Sequence, residues 1–317
     1  MMKHLLVILF FAVVACSAQT PQPENAFPTD RIWATEISGD GRMLVGTGKG
    51  VIKIWDRKSG TLQKSIPSNG ERVTQFVLSP DSTRVLAGDQ KGSLRVWETR
   101  TGELKKQWSA SSLPVDSVAF CSNGCFVASA SGDCTIRVWD FPSGNLVSSA
   151  QHEIGEIESL DFSPDCNSLA STGDDANVYV WDTKTGKQRF NVNEPLLTSF
   201  KVKDSKDGKQ LIFAGAAQQI YFADAESGKI LKVLPKASDP IGTLDASPDK
   251  RHIVALHFNA DHMSDAAALS LWDIASGSRK TAIDDRKVFI NGCRFLDDGR
   301  LLATGWTDGK LMVWTWK

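Results

Sequence analysis

Apolar residues fall at every second position over short runs, and the runs recur in one frame. Val51-Ile52-Lys53-Ile54-Trp55, Ser93-Leu94-Arg95-Val96-Trp97, Thr135-Ile136-Arg137-Val138-Trp139 and Asn177-Val178-Tyr179-Val180-Trp181 each alternate with the period of a β-strand and end on tryptophan. Trp55, Trp97, Trp139 and Trp181 stand 42 residues apart; Ala223 holds the next slot, Trp272 follows 49 residues later and Trp314 a further 42. An acid follows most slots (Asp56, Glu98, Asp140, Asp182, Asp224, Asp273), and five residues after the slot comes a glycine: Gly60, Gly102, Gly144, Gly186, Gly228 or Gly277. A glycine there can adopt positive φ and close a hairpin into a further strand.

Upstream of each slot lies a second turn, as in Ser79-Pro80-Asp81, Ser163-Pro164-Asp165 and Ser247-Pro248-Asp249, in which proline presets φ and aspartate bonds back to the backbone. Strand-like runs flank it, for example Ile157–Phe162 before and Leu169-Ala170-Ser171 after. A third turn lies six residues before each slot. Every repeat therefore predicts four strands joined by three tight turns, and no segment resembles a capped helix. Such a unit is apolar on both faces and must be covered by its neighbours. A period of about 40–45 residues marks a propeller or a solenoid array, and a ring removes the exposed ends of a linear stack.

The segment Gly132-Asp133-Cys134-Thr135-Ile136-Arg137-Val138-Trp139-Asp140 resembles the signature of the WD40-repeat family, and Phe162-Ser163-Pro164-Asp165 is similar to it in the next copy. The resemblance covers roughly residues 30–317. It implies an all-β fold: a seven-bladed β-propeller of four-stranded antiparallel blades, the last blade closed by an N-terminal strand. The donor is expected around Thr20–Pro28, where Pro21, Pro23 and Pro28 suit an outer edge. The chain departs from the family pattern in having no Gly-His pair. His152 is the nearest candidate, about one residue out of frame, and the turn aspartate survives only as Asp133, Asp175 and Asp308. Blade five lacks its tryptophan.

With 36 Lys and Arg against 37 Asp and Glu, the net charge of -1 argues against a nucleic-acid partner. Lys3 followed by the apolar run Leu5–Ala15 is too short to span a bilayer and fits a signal-peptide core. Val13-Val14-Ala15-Cys16 resembles a bacterial lipobox, which predicts a lipoprotein-type signal at 1–15, lipidation of Cys16, a tether and closing strand at 16–29 and the propeller at 30–317. By analogy with enteric sorting, Ser17 after the cysteine directs the anchored protein to the outer membrane, periplasmic side, of a diderm; a secreted protein cut after Ala18 is the alternative.

Outside the cytoplasm, five cysteines beyond Cys16 leave at least one unpaired. Cys121 and Cys125 flank one turn and form a candidate disulfide, Cys166 in the equivalent turn of the next blade is a rival partner, and free buried thiols are the third reading. Cys293 reads as core.

No nucleophile elbow, zinc-protease motif, phosphate loop or Cys-x-x-Cys pair occurs, so no catalytic residue, metal or cofactor is expected. The extra residues of blade six, about Phe258–Asp265, bring His257, Asp261, His262 and Asp265 together and read as a polar loop available to a partner rather than a metal site. In the family, the turns before the tryptophan strands line a face that receives peptides or proteins. Here that face would carry Lys49, Lys91, Asp133, Asp175, the insertion with His257 and His262, Trp306 and Asp308. Trp306 breaks the repeat pattern as a large aromatic, which makes it a candidate hot spot. The resulting expectation is a monomeric, membrane-anchored scaffold that binds an unidentified protein or peptide without turnover. The alternatives are an outer-membrane assembly lipoprotein and a quinoprotein-like oxidoreductase.

Overall fold

The computed structural model describes residues 25–28, 32, 34–48, 50–68, 72–152, 155–175, 177–193, 199–205, 207–237, 239–259, 262–283, 289–307 and 310–316. All regular structure among them is strand. β1 (Asn25–Pro28) is followed by blade 1, formed of β2 (Ala34–Ile37), β3 (Met43–Gly48), β4 (Val51–Asp56) and β5 (Leu62–Pro67). Blade 2 is β6 (Val73–Leu78), β7 (Arg84–Asp89), β8 (Ser93–Glu98) and β9 (Leu104–Ser109). Blade 3 is β10 (Val115–Phe120), β11 (Phe126–Ser131), β12 (Thr135–Asp140) and β13 (Leu146–Gln151). Blade 4 is β14 (Ile157–Phe162), β15 (Ser168–Gly173), β16 (Asn177–Asp182) and β17 (Gln188–Asn193). Blade 5 is β18 (Ser199–Asp204), β19 (Gln210–Gly215), β20 (Ile220–Asp224) and β21 (Ile230–Val233). Blade 6 is β22 (Ile241–Ala246), β23 (His252–Asn259), β24 (His262–Asp273) and β25 (Arg279–Ile283). Blade 7 is β26 (Phe289–Phe295), β27 (Leu301–Thr307) and β28 (Lys310–Trp316), with β1 antiparallel to β28 as its fourth strand.

Each sheet is an antiparallel meander, and the first strands pack side by side around a centre. β2 touches both β6 and β26, so the seven sheets form a closed ring. Apolar packing holds the ring through seven clusters, one at each junction between blades. At the junction of blades 7 and 1, Phe27 is wholly buried and meets Trp55 edge-on, ring centroids 6.1 Å apart. The slot tryptophans Trp55, Trp97, Trp139, Trp181, Trp272 and Trp314 are all buried. Trp139 and Trp181 also donate Nε1–H to Ser129 Oγ and Ser171 Oγ, at 3.0 and 2.8 Å. In blade 5 the buried Ala223 leaves room that the stacked rings of Phe213 and Tyr221 help to fill, their centroids 5.4 Å apart.

All six glycines placed five residues after the slots have positive φ, between 68° and 82°. At Gly186 a Cβ would lie 2.3 Å from the Ser149 carbonyl oxygen, so close approach of the neighbouring blade adds to the turn's own demand.

The cysteine pairing differs from the first candidate. Cys121 joins Cys166, not Cys125, with Cα atoms 5.6 Å apart, a normal disulfide span. Within its own hairpin the Cys121 amide donates to the Phe126 carbonyl, and Cys125 turns out to solvent as a free thiol. Radial packing instead brings the β10–β11 turn against the β14–β15 turn, where Ser122 Oγ also donates to the Pro164 carbonyl at 2.6 Å. The bond therefore ties blade 3 to blade 4. The insertion in blade 6 is a β-hairpin extension and not an irregular loop, with Phe258 opposite Ala266 and Asn259 opposite His262.

Candidate binding face and channel

The first strands line a central channel of about 850 Å³. In most blades the first strand carries an irregularity after its opening residue. The register skips Asp116 between Val115 and Ser117, and Glu158 between Ile157 and Ser159. A residue expelled from the ladder in this way is re-aimed: Glu158 lines the channel, and Asp116 lies within electrostatic reach of it and of Glu156. Withdrawal of solvent, then repulsion from Glu156 and Asp133, pushes the Asp116 carboxyl up to about 6. Glu158 keeps an exposed edge, yet partial desolvation and the charges of Asp174, Glu156 and Asp116 raise it as well. Among the described residues no cation lies within ion-pair distance of these four carboxylates. Blades 3 and 4 thus present an unneutralised acidic sector.

Along the channel, the last position but one of the first strand forms a belt. Asp161, Lys203, Asp245, Arg294 and Glu36 alternate in sign over five consecutive blades. Lys203 Nζ lies 3.8 Å from Asp161 Oδ1, and Arg294 Nη1 lies 3.5 Å from Glu36 Oε1. The Asp161 carboxylate is the main influence holding the Lys203 ammonium above its ordinary value. Glu36 Oε2 accepts the Leu78 amide at 2.7 Å and Asp245 Oδ2 accepts the Phe295 amide at 2.8 Å, each reaching the next blade. Blades 2 and 3 place Val77 and Ala119 here instead.

Three polar arrangements occupy equivalent ground near the turns before the tryptophan strands. In blade 2 the buried Arg95 reaches Asp89 at 2.6 Å. In blade 3 Arg137 grips Asp133 through both oxygens, at 3.2 and 2.8 Å, while Ser111 Oγ donates to Asp133 at 3.1 Å. In blade 4 the buried His152 lies with Nδ1 3.5 Å from Asp175 Oδ2 and packs on the Tyr179 ring. His152 occupies the same place as Ser68, so its apparent offset still brings it beside Asp175, though without a hydrogen bond between them.

The predicted face residues therefore divide. Lys91 is exposed in its turn. Asp133 and Asp175 sit at the predicted turns, but their carboxylates are committed inside their blades. His257 is buried; its Nδ1–H donates to the Asp239 carbonyl at 3.3 Å, and burial lowers its pKa. Trp306 lies on β27 opposite Phe289 and Leu311, and His262 opens β24. The side chains of Trp306 and His262, and the residues Cys16, Lys49, Asp261 and Asp308, lie outside the described set, as does the Asp265 side chain. Among the described residues no three His, Cys, Asp or Glu converge on a metal position. Sequence reasoning missed Asp116 and Glu158. Their signal was an acid directly after the buried opening residue of the first strand, a place filled by Thr74 in blade 2.

A closed ring of seven four-stranded antiparallel sheets with its channel lined by the first strands defines the molecule as a seven-bladed β-propeller. The WD domain, G-beta repeat family matches residues 60–98, 102–140, 144–182 and 278–315. The chain belongs to the WD40-repeat family. No curated protein matches it. A chain in the crystal structure of the mitotic checkpoint complex is similar in fold, with TM-score 0.80 at 18% identity over 99% of this chain and 97% of that one. WD40 propellers typically serve as protein-interaction scaffolds.

Proposed function

We propose that this protein is a non-catalytic scaffold in a bacterial cell envelope, lipid-anchored through Cys16, that receives a protein or peptide on the channel face. The acidic sector of Asp116, Glu156, Glu158 and Asp174 carries this reading. Four carboxylates held together without a counter-cation among the described residues, two of them with raised pKa, favour a partner that brings Lys or Arg to them. The Cys121–Cys166 bond supports an oxidising compartment, since structural disulfides are rare in the cytosol. Partner capture from the envelope by the anchored protein, compared with a Glu156→Lys, Glu158→Lys variant, tests the face. A partner lost from the variant at low salt and weakened in the wild type at high salt is expected; equal capture by both would reject the site. Metabolic acyl labelling that persists after Cys16→Ala would reject the anchor.

A further inference from the structure

The circumference differs in charge from the channel face. The channel face carries the acidic sector, whereas the turns of the opposite face mix Asp56, Asp140, Asp182, Asp224 and Asp273 with Arg57, Lys58, Arg100, Lys184, Lys187 and Lys229. The outermost strands of blades 1 to 6, β5, β9, β13, β17, β21 and β25, together hold seven Lys or Arg and no Asp or Glu. Lys105 is paired with Glu103 at 2.6 Å and Arg189 with Asp182 at 2.7 Å, but part of that charge is not cancelled locally. Lys106 and Lys232 donate to the backbone carbonyls of Phe141 and Ile274 in the following blades, and a neutral acceptor leaves the ammonium charge intact. Leucines project from the same band at one register. Leu62, Leu104 and Leu146, opposite Trp55, Trp97 and Trp139, are 47%, 39% and 52% exposed.

The fourth strand of blade 7 is β1, so the chain leaves the propeller on this same band. Its first residue, Asn25, pairs with Val313, at the end of the blade where Leu62 and Leu104 open their own strands. Nine residue steps separate Asn25 from Cys16. Fully extended they reach no more than about 30 Å.

We propose that the rim of blades 1 and 2 docks edge-on against an anionic lipid bilayer, with Leu62 and Leu104 at the headgroup boundary and Lys64 and Lys106 facing lipid phosphates. This rests on the lipid-anchor reading, which brings the rim within reach of the membrane. Basic side chains around exposed apolar ones suit an anionic interface. The acidic sector turns the channel face away from such a surface, and the tether brings the band within reach of it. Edge-on docking also leaves the channel mouth open to the periplasmic space for a partner.

The test uses the full-length lipidated protein reconstituted into vesicles of phosphatidylcholine with about a third phosphatidylglycerol, doped with a photoactivatable phospholipid; labelled peptides are mapped by mass spectrometry. Label is expected on residues 62–66 and 104–108 and not on the channel-face segment 132–137. It should fall at least about fivefold in pure phosphatidylcholine or in a Lys64→Glu, Lys106→Glu variant, since each cation near an anionic surface is worth about that factor. The change of lipid needs no variant, so a folding defect cannot mimic it. Protein that floats with vesicles but is labelled evenly, or independently of anionic lipid, overturns the docking and leaves the anchor standing. A rim that crosslinks in cells to protein and never to lipid also overturns it. Protein that does not float at all overturns the anchor, and the docking with it.

Discussion

Replacing Asp116 by Asn should stabilise the protein at neutral pH. The carboxyl is ionised at pH 7 in a place that disfavours charge, its pKa having moved from 3.8 to about 6. A change of that size corresponds to roughly 3 kcal/mol between folded and unfolded states. Asp116 is only partly buried, and solvent screening reduces the expected gain to about 1–2 kcal/mol. The sign follows from proton uptake. Between 3.8 and 6 the folded state binds the proton more tightly, so Asp116 costs nothing below the unfolded pKa and costs most above the folded one. Thermal unfolding of wild type and variant at pH 7, 6, 5 and 4 reads this directly. The variant should melt about 2–5 °C higher at pH 7, and the difference should shrink through pH 6 to 4. A variant no more stable than wild type at pH 7, or an advantage that stays constant with pH, would refute the electrostatic account of the acidic mouth.

Other consequences are equally open to measurement. Trp139→Ala removes a buried ring and orphans Ser129, and should cost about 3–5 kcal/mol by calorimetry; a loss under about 1 would show that the slot does not hold the blade. Arg95→Ala leaves the Asp89 carboxylate buried without its cation and should cost about 3–5 kcal/mol, most of it recovered in an Arg95→Met, Asp89→Asn double variant followed by denaturant titration. Breaking the Cys121–Cys166 bond with Cys166→Ser should lower stability by about 4 kcal/mol, from the closure entropy of a 45-residue separation. Dithiothreitol should then shift the melting of wild type but not of the variant. His257→Gln should flatten the loss of stability on acidification: burial depresses the His257 pKa, so its share of stability is present above the unfolded value of 6.5 and is lost as pH falls below it.

The strands, the three turns per repeat and the glycines at positive φ were legible in the chain because each depends on residues within one repeat. Alternation with period two fixes which side of a strand is buried, and a glycine's missing Cβ fixes where a turn can take a left-handed residue. The tryptophan interval also set the number of copies, and copies with two apolar faces had to stack. What the tertiary structure decided is everything that depends on who lies beside whom. Cys121 found Cys166 across a blade boundary because radial packing sets two turns edge to edge, whereas sequence proximity favoured Cys125. Asp133 looked available for a partner, but Arg137 holds it, and Asp175 looked available too, but one of its oxygens accepts the Asn177 amide and the other is buried beside His152. Glu36 and Arg294 are 258 residues apart and meet only because the ring closes, completing a belt of alternating charge. Asp116 and Glu158 came within electrostatic reach of each other through bulges that expel them from their ladders. Local chemistry dictates the shape of one blade, while long-range contacts between blades determine which charges are cancelled and which are left for something else to bind.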